Sequence, residues 1–170
     1  LTRKQNLDLI AFNAGLEEVV AQRTAALHKA MDSLANAHDK LKKSFISSIT
    51  VFSNLIELRH GAATGHTRRV ADFARRLALR LRVGDSAQQD IMVAALLRDI
   101  GKLTLPDRVV GKAFSALSGE EQREFMKHPV KGQAALMALE QLAGAASLIR
   151  SQHERWDGTG FPDRLSGSRI

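Results

Sequence analysis

From Val20 onward, side chains return in a four-three alternation that a helix brings onto one side. Val20, Leu27, Leu34 and Leu41 stand seven residues apart, and Thr24, Met31, His38 and Phe45 follow each of them by four. Residues 1–45 contain no Pro, and Gly15 is their only Gly. The spacing predicts one long helix with a coiled-coil-like seam. Thr24 and His38 are polar interruptions in that seam. Two occupants suit it: a second copy of the chain, making residues 7–55 a homodimer face, or the chain's own downstream domain. The second copy is the expectation taken here.

The stretch RHGAATGH (59–66) carries two glycines that interrupt the helical pattern. It divides the chain into a linker and dimerisation helix, 1–58, and a helical domain, 59–170. In the next helix, about 65–82, His66, Val70, Phe73, Leu77 and Leu81 share one face by their spacing, which predicts an inward stripe. Gly84 is expected to end this helix. Ser86 and Gln89 read as a capping box for AQQDIMVAALLRD, whose second half is apolar all round and so belongs in the core. Ser118 and Glu121 suggest another capped helix, Pro129 can open the next, and a last helix is expected over about 142–153. The segment DGTGFPDRLSGS has turn chemistry. No alternating strand pattern occurs, and the fold class expected is all-α.

Composition narrows the chemistry. The chain has no Cys, so neither disulfides nor thiolate catalysis are available. No apolar run approaches the roughly 20 residues of a membrane span, and LTRKQNLDLI lacks the apolar core of a signal peptide. The expectation is a cytoplasmic protein with no membrane partner. The net charge is +7, and six arginines (68, 69, 75, 76, 80 and 82) crowd one helix against a single acid, Asp72. Such a stripe suits a solvated face, an acidic partner or nucleic acid. No Tyr and one Trp leave no aromatic platform beside it, so nucleic acid is the weakest of these readings.

Three histidines and one aspartate carry the chemical interest. His66 starts a helix, His128 precedes Pro129, His153 ends a helix, and Asp99 closes the apolar helix in ALLRDIGKL. A lone buried histidine is ordinarily a hydrogen-bonded core residue. A buried carboxylate, however, needs a cation or a proton. Several His and a carboxylate turned to one interior would suit iron, manganese or zinc.

The blocks GHTRRVADFARRLA, ALLRDIGKL, MKHPVKGQ and SQHERWDGTGFPDRLSG together resemble HD-GYP domains, a bacterial branch of the HD phosphohydrolase superfamily, from about Glu57 to the end of the chain. The resemblance implies an HD-type helical bundle that holds two or three divalent metals and hydrolyses cyclic di-GMP with a metal-bridging hydroxide. It implies metal ligands at Glu57, His66, Asp99, His128 and His153, with Asp99 and Lys102 in the catalytic role. It also implies a substrate-binding set of Lys102, Arg155, Asp157, Gly158, Gly160, Phe161 and Pro162, to which the charge of Arg98 adds a further expected phosphate contact. Further helices, with another aspartate ligand, would follow Ile170. A receiver domain ahead of the chain and a diguanylate-cyclase-type domain are the partners implied.

The departures from that family bear on activity. Arg98 stands where the family has the first His of its His-Asp pair, Gln152 replaces the first of two adjacent histidines, and Phe161 replaces a Tyr. Arginine has no lone pair to give and stays protonated. At a metal position it removes a ligand and sets a cation against cations, yet it can pair with Asp99 in the ion's stead. The expectation is a degenerate module with no metal or partial occupancy, which binds cyclic di-GMP or a protein instead of hydrolysing. A weakly active metal-dependent phosphodiesterase is the alternative.

Overall fold

The computed structural model describes residues 2–59 and 65–170. Six α-helices account for most of them: α1 (Arg3–Arg59), α2 (His66–Arg80), α3 (Asp85–Leu97), α4 (Gly119–Phe125), α5 (His128–Leu136) and α6 (Ala143–Ser151). Short 3-10 turns lie at Ile100–Thr104, Phe114–Ala116, Glu140–Leu142 and Gly167–Arg169. Among the described residues there is no strand, only one antiparallel bridge between His153 and Phe161. The all-α expectation holds. No described helix is long and apolar enough to cross a membrane.

The chain divides into two compact units, Leu1–Phe45 and Ile46–Ile170. In the first, every described residue up to Ser44 is exposed, the seam residues before the half-buried Phe45 included. In the second, the end of α1 contributes Ile49, Ser53, Ile56 and Glu57 to the interior. The boundary expected at the RHGAATGH glycines falls largely on residues 60–64, outside the described residues.

Within the second unit α2 packs on α3, α3 on α6, α6 on α5, and α5 on the 100–104 turn. Their contact surfaces are built from small and branched side chains: Ala71 and Ala78 of α2, Val93, Ala94, Leu96 and Leu97 of α3, Ala145, Ala146 and Ile149 of α6. The apolar second half of α3 is thus buried, as its sequence requires. A satellite cluster of Leu105, Val109 and Leu117, flanked by Val110 and Phe125, underlies the loop after the turn. Gly101 is dictated by packing: a Cβ there would collide with the His128 carbonyl oxygen and stand 2.8 Å from the Gly132 nitrogen. That close approach sets the Asp99 turn against the start of α5.

Three local expectations are corrected. The buried face of α2 is Thr67, Ala71 and Ala78, while His66, Phe73, Leu77 and Leu81 are exposed. Small residues let α2 lie close to α3, and closeness decided the face over side-chain bulk. Helix α3 starts at Asp85 with Gly84 as its extended N-cap, so Ser86 and Gln89 form no cap and Gly84 begins a helix instead of ending one. The last helix is shorter than expected, with a 3-10 turn over Glu140–Leu142 before α6. The Ser118–Glu121 capping box is present, and Pro129 lies in the first turn of α5.

Candidate functional site

Helix α3 ends at Leu97, and the chain turns through Arg98 and Asp99 into the Ile100–Thr104 turn. That geometry projects three charged side chains from one short segment. Lys102 Nζ lies 2.8 Å from one Asp99 oxygen, and Arg98 Nε lies 3.6 Å from the other. All three side chains are between a fifth and a third exposed, where a charge pair is screened less than at the open surface. At 3.6 Å the Arg98 contact is an ion pair and not a hydrogen bond, and among the described residues Nε has no hydrogen-bond partner.

This cluster lines two cavities. One, about 400 Å³, is completed by Ala94, Ala95, Leu148, Ile149, Gln152 and His153. The other, about 440 Å³, includes Glu57, His66, Thr67, Val109, Lys112 and Phe125. Two of the three sequence departures meet here, since the Gln152 side-chain amide donates to the Arg98 carbonyl at 2.9 Å. The bond ties the end of α6 to the end of α3.

Glu57 has a task of its own. Its carboxylate accepts from the backbone N–H of Gly65 at 2.7 Å and from that of Thr67. Gly65 is the N-cap of α2 and has no side chain to cap with, so a carboxylate from α1 satisfies the orphan donors of α2. Burial opposes ionisation of Glu57, but these hydrogen bonds outweigh it and hold the carboxyl below the ordinary glutamate range.

His128 is fully buried. Its Nδ1 is 2.7 Å from the Phe125 carbonyl oxygen. A carbonyl can only accept, so Nδ1 carries the proton and Nε2 presents a lone pair. Among the described residues that Nε2 has no hydrogen-bond partner. Burial pushes the imidazole pKa down to about 4, against the raising effect of the Phe125 hydrogen bond. The His153 ring meets it edge-on with centroids 5.0 Å apart, and Phe161 stacks on His153 at 4.6 Å. Burial, followed by the charge of Lys102, also lowers the His153 pKa.

The structure therefore brings Glu57, His66, Arg98, Asp99, Lys102 and His153 to the two cavities, with His128 packed behind His153. Of the loop residues, Phe161 reaches this group by stacking on His153, and the others lie apart from the two cavities. Gly158, Gly160, Phe161 and Pro162 line a third cavity of about 520 Å³ with Lys127 and Arg164, and Arg155 pairs with exposed Asp157. Two supports escaped the sequence reading. Glu154 accepts from the backbone N–H of Asp163 and Leu165 at 2.6 and 2.9 Å. Arg150 grips Asp163 through two nitrogens at 2.5 and 2.7 Å and reaches Gln133 at 2.9 Å. The only signal for either was a set of charged residues flanking turn glycines.

The donor chemistry does not fit the metals that the sequence resemblance implies. Among the described residues no three His, Cys, Asp or Glu side chains are grouped to hold an ion. Asp99 is engaged by two cations and Glu57 by two amides.

A family model described as HD domain matches residues 50–170. A cyclic di-GMP phosphodiesterase response regulator, RpfG, of Xanthomonas campestris is 30% identical over 156 residues, which cover 90% of this chain and 40% of that protein. A 3'3'-cGAMP-specific phosphodiesterase of Vibrio cholerae is 30% identical over 137 residues, covering 80% of this chain and 30% of the relative. A cyclic di-GMP phosphodiesterase of Thermotoga maritima is 32% identical over 124 residues, 72% of this chain and 33% of its own length. The chain spans well under half the length of these curated relatives.

Proposed function

This chain belongs to the HD domain family, and on that footing we propose that it is a degenerate HD-GYP module that serves cyclic dinucleotide signalling by binding instead of hydrolysis. The observation that supports this reading is the Arg98–Asp99–Lys102 cluster. Two side-chain cations flank the carboxylate that would otherwise face an ion. Cyclic di-GMP carries two phosphodiester anions. Arg98 has guanidinium donors beyond the Nε that faces Asp99, and Lys102 has three, enough to engage one such anion. The cavities of about 400 and 440 Å³ fall in the range of small-ligand sites.

The same reading assigns the remaining roles. The 153–167 loop, braced by Glu154 and Arg150, is a surface for a diguanylate-cyclase-type domain. Residues 7–45 form a homodimer seam; the rest of the expected 7–55 face falls away because Ile49 and Ser53 are buried in the helical domain. A receiver domain before α1 would accord with the response regulator among the relatives.

The test is calorimetric titration of the chain with cyclic di-GMP and 3'3'-cGAMP, with chromatography of the nucleotides afterwards. Saturable binding with the cyclic compound recovered intact is expected. Arg98→Ala should weaken binding about tenfold, equivalent to about 1.4 kcal/mol. No binding of either compound would overturn the ligand. A second reading, a weakly active metal-dependent phosphodiesterase, is favoured by the unpartnered lone pair of His128. Manganese-dependent release of linear dinucleotide would establish that reading over the first.

A further inference from the structure

Helix α1 is exposed on every side from Arg3 to Ser44. A lone helix in water draws little stability from propensity and depends on packing of an apolar face. Here that face is left open: Leu27 is 59% exposed, Met31 58%, Leu34 71% and Leu41 70%. Its heptad positions are defined by the spacing. The step from each residue of the Val20 series to the next seam residue is four, and the step back is three. Val20, Leu27, Leu34 and Leu41 therefore occupy d, and Thr24, Met31, His38 and Phe45 occupy a.

We propose that α1 pairs with α1 of a second copy of this chain as a parallel, in-register, two-stranded coiled coil over Val20–Phe45. The proposal rests on the self-pairing reading of residues 7–45 and is independent of the ligand reading. Leu27, Leu34 and Leu41 supply the leucine d layers of the two-stranded parallel pattern. The polar layers decide orientation. In a parallel register a meets a and d meets d, so Thr24 faces Thr24, His38 faces His38, and leucines face leucines. An antiparallel pair sets a against d, which would place each His38 and Thr24 against Val or Leu, with a polar group stranded in the seam.

The flanking positions agree. In the parallel pair Arg23 would lie across from His28, Ala30 from Ala35 and Ala37 from Lys42, so no Lys or Arg faces another at these three levels. Lys29, Asp32, Asp39, Lys40 and Lys43 stay on the outer positions.

The chain has no Cys, so any disulfide is one placed by design. Leu27→Cys and Leu41→Cys, made separately in the full chain, test the orientation. An in-register parallel pair cross-links at both sites on mild oxidation. An antiparallel pair is related by one two-fold axis across the seam, and only residues beside that axis can self-link, so it links at no more than one of the two sites. Light scattering of the unaltered chain measures association independently of either variant. The expected result is twice the 18.6 kDa chain mass, with near-complete covalent dimer from each variant. A monomer mass at tens of micromolar would overturn self-pairing altogether. A dimer that cross-links at one site or neither would overturn the parallel register alone, and a trimer mass would overturn the two-stranded state.

Discussion

Arg98 occupies a position where two demands meet: a carboxylate that needs a counter-charge and a cavity that faces solvent. The sequence made the pairing with Asp99 legible, because a guanidinium beside a carboxylate in a turn has few other partners. It did not make legible that Gln152 would fix the Arg98 backbone, since that bond joins residues 54 positions apart. His128 was legible only as a core or ligand histidine. Its tautomer depends on the Phe125 carbonyl, which no residue pattern announces. The burial that accompanies it has a measurable consequence. The buried ring keeps a pKa of about 4, whereas an unfolded chain titrates it near the ordinary histidine value of about 6.5. Between those values the unfolded state binds the extra proton, so stability falls as pH drops from about 6.5 to about 4. The loss attributable to His128 should reach roughly 3 kcal/mol. Urea denaturation across that range, with His128→Gln beside the parent chain in chelator, measures it. An equal slope in both proteins would refute the assignment.

At the scale of elements, one capping signature proved right and another wrong for a physical reason. Ser118 and Glu121 close a reciprocal box at α4, but Gly84 is already extended at the start of α3 and leaves Ser86 inside the helix. The cap of α2 comes from Glu57 on another helix, so no local pattern could reveal it. The α2 face was misread because spacing picks out bulky apolar residues, whereas close helix packing selects small ones. The two faces predict opposite mutational costs. Ala78 is 3% exposed and Leu77 48%. Ala78→Leu would force a larger side chain into the buried α2 face and should cost about 1–3 kcal/mol. Leu77→Ala should change stability by no more than about 0.5 kcal/mol. Chemical denaturation of the two variants separates the faces, and the reverse order of costs would restore the stripe expected from the sequence.

At the scale of the whole molecule, side chains make the links between the segments that carry the site. Lys102 and Arg98 hold Asp99, Gln152 joins α6 to the end of α3, and Glu57 caps α2. Arg59 of α1 donates to the carbonyls of Leu103 and Leu105 at 2.5 and 3.3 Å. The helical class and the order of the site blocks were legible because helix periodicity and turn residues are local. The ties made by Gln152, Glu57 and Arg59 were not, because each joins one element to another that no local pattern connects to it. A fold braced in this way should be indifferent to metal. A ligand that binds only the native state at a thousandfold excess over its dissociation constant adds about 4 kcal/mol. For a chain of this size that is a rise in melting temperature on the order of 10 °C. Thermal unfolding in EDTA and in millimolar manganese should therefore give midpoints within about 1 °C of each other. Converting Arg98 and Gln152 to histidine together removes the internal cation and supplies two imidazoles beside Asp99 and His153. That double variant should gain a manganese-dependent rise that the parent lacks. A rise of several degrees in the parent would mean that its donors converge on an ion after all.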